Sequence, residues 1–142
     1  MKAASRIWAA RILIGLVLVI NVQCALVFFT NPARFAPAYE LSGISGAAAI
    51  RGFAVLFLMW NVPYVVGLIS PVKYRVSLYE AIAMQSIGLI GESFILWTLP
   101  FENFILRESV LRFIIFDGAG LFALIIAVWI TRTGMNSESF RV

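Results

Sequence analysis

The sequence LYEAIAMQSIGLIGESFILWTL, at residues 78–99, decides how this chain folds. It is apolar over the length of about 20 residues that an α-helix needs to cross the hydrocarbon core of a bilayer. Gln85 lies near its middle, and Glu92 follows about two helical turns later. A carboxyl group inside hydrocarbon is costly, so it normally faces other helices or water and has a partner or a function. The stretch therefore predicts a transmembrane helix with a polar face.

The whole chain has the composition of a membrane protein. Its 142 residues are 62% hydrophobic and 13% charged, and the mean hydropathy is +0.97. A soluble domain is about a quarter charged and just under half apolar. Open sheets and irregular loops cannot satisfy their backbone polar groups in lipid. We therefore predict an all-α polytopic membrane protein, a single domain over residues 1–142 built as an antiparallel bundle of four transmembrane helices. The predicted spans are residues 7–29, 48–69, 78–99 and 110–130, followed by a mobile polar tail at 133–142.

The first span has an alternative interpretation as a signal peptide, because a short basic segment precedes it. Its apolar run is longer than the usual core of a signal peptide, and no small-x-small cleavage site follows promptly. We therefore expect it to be retained. Residues 30–46 form the longest connection, and their prolines and glycines predict an ordinary interfacial loop. The alternative is a short surface helix or folded loop that caps the bundle.

Basic residues predict the orientation. One side of the membrane holds seven of them and the other holds four. Because cytoplasmic loops are enriched in Lys and Arg, this bias predicts a bacterial inner-membrane protein with both termini in the cytoplasm. The first side carries Lys2, Arg6, Arg11, Lys73, Arg75, Arg132 and Arg141; the other carries Arg34, Arg51, Arg107 and Arg112.

Several kinds of chemistry are excluded or unsupported by the residue content. His is absent, so no His-ligated metal, haem or His general base is available. Cys24 is the only cysteine, which excludes an internal disulfide and a CxxC redox pair. The bases flank apolar spans, so they indicate topology rather than nucleic-acid binding. We predict no catalytic residues, no metal and no cofactor.

Polar residues recur at one depth in the predicted bundle. Asn21, Glu92 and Asp117 each lie about 10–12 Å inside the outer boundary, counted at 1.5 Å per residue. Arg51 begins one turn inside the second span, on the same broad face as Asn61. We therefore predict a polar cluster in the outer half of the bundle. Its candidate members are Asn21, Arg51, Glu92 and Asp117, with Gln85 beneath them and Asn61 near the middle of the second span.

The charges of this cluster do not balance. One arginine against two carboxylates leaves a net charge of −1, which a dry site resists. Either one carboxyl carries a proton, or water or a cation enters, or Arg112 contributes its charge. The simplest interpretation is an ion pair that fixes helix register, and the others are a ligand pocket and a proton or ion path.

Three functions follow from these alternatives. We predict a non-enzymatic accessory or binding subunit that holds a lipid or small amphiphile at the polar cluster. A small proton- or cation-coupled transporter using Glu92 and Asp117 is the first alternative. A purely structural subunit of a larger membrane complex, or of a homo-oligomer, is the second. The lipid bilayer is the one partner common to all three.

The chain also resembles a known family. The motifs are NPARFAPAYEL after the first span, IRGFAVLFLMW in the second, SPVKYR in the turn, GES in the third and FDG in the fourth. In this architecture the chain resembles the small four-helix DoxX-like membrane proteins, through Pro32, Arg51-Gly52, Gly91 and Asp117-Gly118. The resemblance implies a four-helix bundle, and some relatives are accessory subunits of redox systems. It carries over no catalytic residue.

Overall fold

The computed structural model describes residues 3–136, with side chains for residues 4–132, and these residues are almost entirely helical. Their helices are α1 (Ala3–Thr30), α2 (Pro32–Phe35), α3 (Gly43–Trp60), α4 (Val62–Ile69), α5 (Arg75–Thr98) and α6 (Phe104–Asn136), with a 3₁₀ turn at Ala36–Tyr39. No strand occurs in this part of the chain, so the predicted all-α class is confirmed. Lys2, Arg141 and residues 137–142 of the predicted tail lie outside the described residues.

The described helices form four stretches that are long and apolar enough to cross a membrane: Ala4–Thr30, Gly43–Ile69, Arg75–Thr98 and Phe104–Arg132. Large apolar side chains cover the outside of the bundle; Ile44, Ile90 and Trp97 are each at least 68% exposed. An apolar exterior of this extent is unfavourable in water and matches a lipid environment. The prediction of a membrane protein is therefore confirmed.

The second span is broken between α3 and α4. Pro63 lacks a backbone N–H, and its ring disfavours a continuous helix. At the break the N–H of Asn61 donates to the Leu58 carbonyl at 3.2 Å. The side-chain amide of Asn61 donates to the Phe57 carbonyl at 2.6 Å and so replaces a lost helical hydrogen bond. The break gives the two halves of this span different neighbours.

The fourth span is longer than predicted at both ends. It begins at Phe104 rather than at residue 110, and its helix continues to Asn136, through the first residues of the predicted tail. α6 can begin earlier than predicted because the guanidinium of Arg107 donates to the carbonyls of Leu96 and Leu99, at 3.0 and 2.7 Å. An arginine satisfies the free carbonyls at the end of α5 and is tolerated inside a helix near the interface.

The spans pack in a ring in chain order. α1 packs against α3, α4 and α6, and α5 packs against α6 and α4. Tight packing is concentrated toward the end at which α1 begins and α6 ends, which we call the terminal end. Its fully buried core includes Ile14, Tyr64, Leu78 and Leu124. Two arginines form hydrogen bonds between helices at this end. Arg11 donates to the Leu68 and Ile69 carbonyls at the end of α4, and Arg132 donates to the Tyr79 hydroxyl.

The opposite end is covered by residues 31–42, which we call the cap. The cap contains α2 and the 3₁₀ turn and folds back over the bundle. Ser109 donates to the Ala38 carbonyl at 2.6 Å, and the side-chain amide of Asn103 donates to the Glu40 carboxylate at 2.5 Å. Ala36 is buried beneath the turn. The longest connection is thus a folded cover joined to α6.

Candidate functional site

A cavity of about 510 Å³ lies inside the bundle, beneath the cap. Its walls come from every span and from the cap. Most lining side chains are apolar or aromatic. The polar ones are Asn21, Asn61, Gln85, Glu92, Ser109, Arg112 and Asp117, together with the hydroxyl of Tyr39 and the thiol of Cys24. The cavity therefore combines an apolar body with a few convergent polar groups, the usual make-up of a small-molecule site.

The bottom of the cavity is a hydrogen-bonded layer centred on Gln85, which is 2% exposed. Its Nε2 donates to Asp117 Oδ1 at 2.8 Å. Its Oε1 accepts a hydrogen bond from the hydroxyl of Tyr64, a fully buried side chain. Both polar atoms of the Gln85 amide, Oε1 and Nε2, therefore have a hydrogen-bond partner, and these bonds fix the orientation of the amide. This layer separates the cavity from the apolar core at the terminal end.

Two glycines allow α5 and α6 to approach at this layer. A Cβ atom on Gly88 would collide with Asp117 Oδ2, and one on Gly120 would lie 2.7 Å from Gln85 Nε2. Each helix therefore has a glycine opposite the polar side chain of the other. Small residues at helix contacts are the common packing device of membrane bundles. Here they make room for a hydrogen bond between the helices.

A second pair of amides joins the first two spans. Asn21 Nδ2 donates to Asn61 Oδ1 at 3.1 Å. Asn61 is 4% exposed and also holds the Phe57 carbonyl at the break. The pair lines the cavity, so it has both a structural task at the break and a surface available to a ligand.

Glu92 lies closer to the cap than this layer. Seven residues separate it from Gln85, which is roughly 10 Å along the helix. Its Oε2 atom is buried and has no hydrogen-bond partner among the described residues. Tyr39 lies near it in the cap: burial, the Cys24 thiol and the Glu92 carboxyl together raise the pKa of the Tyr39 phenol far above its ordinary value. Glu92 therefore has one buried carboxyl oxygen that no described residue satisfies.

Aromatic rings form the wall beneath the cap. The ring centroid of Phe28 lies 4.8 Å from that of Phe35, 6.2 Å from Tyr39, 6.0 Å from Phe57 and 6.2 Å from Phe113. The cluster draws on α1, the cap, α3 and α6. These rings line the same cavity as Glu92.

The structure does not bring Arg51 into the site. Arg51 is exposed, does not line the cavity and forms no hydrogen bond or salt bridge with another described residue. Arg51 and Asn61 are ten residues apart, which on a helix separates them by roughly 80°. α3 buries only a narrow face, marked by Ile50 and Ala54. This angle places Arg51 outside the buried face of α3, so the prediction that Arg51 belongs to the cluster is wrong.

The predicted common depth is also wrong for Asp117. Asp117 lies level with Gly88, where a Cβ would collide with its Oδ2, and Gly88 is about one helical turn further from the cap than Glu92. It bonds to Gln85, which the sequence placed beneath the cluster. The other predicted members, Asn21, Asn61, Gln85, Glu92 and Asp117, do line one cavity. Four of them lie in the deep layer. Glu92 lies above that layer, closer to the cap.

The chain was compared with known proteins at the level of families, sequences and structures. No family model, curated protein or solved structure matches it. The resemblance to DoxX-like proteins therefore stays a prediction.

The cavity opens sideways, between the second and third spans. α4 packs against α5. α3, which lies on the cap side of the break, makes no comparable contact with α5. Ile87, Gly91 and Ile95 of α5 line the cavity and are themselves exposed. These positions lie within the third of the four apolar spans. A molecule dissolved in the bilayer therefore has a lateral route into the cavity.

Sequence analysis missed three residues that matter at the site. Tyr64 fixes Gln85, Tyr39 covers Glu92, and Ser109 holds the cap. The signal for Tyr64 was its position three residues after Asn61, on the same helix face. Nothing in the sequence indicated the other two, because their partners lie in the cap and its path depends on tertiary contacts. In the described part of the chain, no three His, Cys, Asp or Glu residues come together as metal ligands.

Proposed function

We propose that this membrane protein binds a small amphiphile, which enters from the bilayer between α3 and α5 and lies in the cavity beneath the cap. The observation that carries the proposal is the cavity itself: about 510 Å³, apolar along its walls, polar at its end and open at lipid depth. Ligand sites have volumes of roughly 300–1,000 Å³ and few convergent polar groups. A purely structural subunit has no need of such a space.

The proposal is non-enzymatic. Asp117 and Gln85 are engaged with each other, and the sequence has no His and no second cysteine to complete a familiar catalytic set with Glu92. We propose an accessory or carrier role in a bacterial inner membrane, with both termini cytoplasmic. Arg11, Lys73 and Arg132 at the terminal end support this orientation. The motifs shared with DoxX-like proteins are consistent with a role of this kind.

Fluorescence quenching tests the binding. Trp60 lines the cavity, whereas Trp8, Trp97 and Trp129 are at least 62% exposed. A full-length variant retaining only Trp60 is placed in phosphatidylcholine nanodiscs and titrated with a bromine-tipped alkyl amphiphile. A variant retaining only Trp97, which does not line the cavity, reports simple partition into lipid. We expect saturable quenching of Trp60 at probe concentrations where Trp97 shows only a linear loss.

A matched pair of glycine variants controls this experiment. No heavy atom lies within 4 Å of a Cβ at Gly91 or at Gly52, and both are exposed helix positions. Only Gly91 lines the cavity. Gly91→Leu should fill the lateral opening and weaken probe binding about 10-fold or more, whereas Gly52→Leu should not. Identical linear quenching of Trp60 and Trp97 would overturn the proposal.

A second candidate is a proton- or cation-coupled transporter. The observation that favours it is Glu92, whose buried Oε2 has no hydrogen-bond partner among the described residues, in one cavity with Asp117. The fully buried core below Gln85, with Ile14, Leu78 and Leu124, opposes a continuous path. Proton flux into liposomes that Glu92→Gln abolishes would favour transport over binding alone.

A further inference from the structure

We propose that the amphiphile bound in this cavity is a cation, with its ammonium group between Glu92, Asp117 and the aromatic wall. This inference rests on the proposed function and adds the chemical class of the ligand. Its evidence is the charge inside the cavity and the residues that surround the unsatisfied carboxyl.

The cavity contains more acid than base. Arg51 does not line the cavity. Glu92 and Asp117 therefore share it with one basic residue among those described, Arg112. The Arg112 side chain is 75% exposed, and its Nη2 lies 3.4 Å from Glu108 Oε2. It is therefore at the rim and already has an acidic neighbour. Buried carboxylates are stable only when a positive charge or hydrogen-bond donors compensate them, and a bound cation supplies that charge.

The remaining titratable groups that face this region do not supply it. α1 contributes the thiol of Cys24 and the cap contributes the phenol of Tyr39, and neither group carries a positive charge in any protonation state. α3 contributes the neutral groups Trp60 and Asn61. Among the described residues, Arg112 is therefore the one source of positive charge at the cavity, so a carboxylate that stays ionised there needs Arg112 or a cationic ligand.

The aromatic wall supports a cation for a second reason. Ring faces attract an ammonium group placed within about 6 Å of their centroids, and desolvation strengthens this attraction. Phe28, Phe57, Phe113 and Tyr39 form a continuous ring cluster that lines the same cavity as Glu92. A carboxyl group beside a cluster of aromatic rings suits an alkylammonium ion, whereas the rings repel the negative head of a fatty acid.

The experiment uses the Trp60-only chain and three bromine-tipped alkyl probes of the same length, with trimethylammonium, hydroxyl and carboxylate heads. The trimethylammonium head keeps its charge at every pH, so changes in affinity report on the protein. Zwitterionic nanodiscs avoid attraction of the cation to the membrane surface, and the Trp97-only chain corrects for partition. We expect the cation to bind about 10-fold or more tightly than the alcohol, and the carboxylate to bind more weakly than either.

Two substitutions locate the preference. Glu92→Gln and Asp117→Asn should each reduce the ratio of cation to alcohol affinity, and the double substitution should bring it near one. Glu80→Gln is the matched control, because Glu80 is an exposed residue of α5 that does not line the cavity. Arg112→Gln is a variant at the exposed rim, chosen because it disturbs no buried contact, and it should raise the affinity for the cation.

The outcomes separate the two proposals. Equal binding of all three probes at Trp60 would overturn the cation inference and leave amphiphile binding intact. Tighter binding of the carboxylate probe would overturn the inference and assign the head-group contact to Arg112. A cation preference that survives the loss of both carboxyls would also overturn it. Failure of every probe to quench Trp60 beyond the Trp97 control would overturn the proposed function itself.

Discussion

Gln85 Nε2 donates a hydrogen bond of 2.8 Å to Asp117 Oδ1 and thereby joins the third and fourth spans in the middle of the bundle. The other end of the same amide accepts from Tyr64 in the second span. One side chain therefore connects three of the four spans. It also forms the bottom of the cavity, so the position of Asp117 as a candidate ligand-binding group depends on it.

Replacing Gln85 by leucine should destabilise the protein more than an average interhelical hydrogen bond in membrane proteins, which contributes about 0.6 kcal/mol. The substitution removes the hydrogen bond to Asp117 Oδ1 and leaves the buried Tyr64 hydroxyl with only a longer bond, of 3.3 Å, to the Ala81 carbonyl. We expect a loss of about 1–3 kcal/mol in the free energy of unfolding. The measurement is unfolding in mixed micelles with increasing SDS.

Gln23→Leu is the control for that substitution. Gln23 is an exposed residue of α1 and forms no hydrogen bond with another described side chain. Exchange of an exposed amide for an apolar group within lipid should leave the stability unchanged or raise it. If the two leucine variants unfold at the same SDS concentration, the Gln85 layer has no net stabilising role.

Gly88→Ala should disturb the contact between α5 and α6. The added methyl group would collide with Asp117 Oδ2, whereas a Cβ at Gly91, less than one turn along the same helix, meets no heavy atom within 4 Å. Overpacking of this kind typically costs about 1–3 kcal/mol. Gly88→Ala should therefore unfold at lower SDS than the wild type, and Gly91→Ala should not. Equal effects would show that helix propensity, not the collision, determines the response.

The sequence was sufficient for the four spans, because each is an apolar run of bilayer length. It was insufficient for their ends. Depths counted from an apolar boundary placed Asp117 level with Glu92, whereas the guanidinium of Arg107 lets α6 begin at Phe104. A charged residue near an interface does not end a helix when its side chain donates hydrogen bonds to neighbouring carbonyls.

The pattern of residues predicted a shared face for Arg51 and Asn61, and the structure separates them. Helical spacing gives the angle between two residues but not the width of the buried face. That width depends on how many neighbours a helix has, and α3 packs mainly against α1 and the cap. The sequence supported a capping loop only as an alternative, since the path of the cap depends on hydrogen bonds such as that of Ser109 to Ala38, which are far apart in sequence.

The Asn21–Asn61 pair should show a measurable coupling energy. Their 3.1 Å hydrogen bond joins the first two spans at the break. In a double-mutant cycle with Asn21→Leu and Asn61→Leu, we expect a coupling of about 0.6 kcal/mol, within a range that reaches ~1.7 kcal/mol. Asn61→Leu alone should cost more than Asn21→Leu, because it also removes the donor to the Phe57 carbonyl. Strictly additive losses on SDS unfolding would contradict the bond.

Closure of the cap should weaken at high pH through Tyr39. Burial, the Cys24 thiol and the Glu92 carboxyl raise the pKa of its phenol in the folded protein. The phenol of an open cap ionises near its ordinary pKa of about 10. Above that pH the open form loses a proton that the closed form retains, so closure is fully stable below it and is lost as the pH rises.

Hydrogen exchange of residues 31–42, followed by mass spectrometry between about pH 8 and about pH 11, measures this effect. Each variant is compared with the wild type at the same pH, which removes the intrinsic change in exchange rate. Tyr39→Phe should keep the cap protected at high pH, because its ring fills the same space without an ionisable hydroxyl. Tyr74→Phe, in the turn at the terminal end, should follow the wild type. If Tyr39→Phe and the wild type lose protection in parallel, ionisation of Tyr39 does not open the cap.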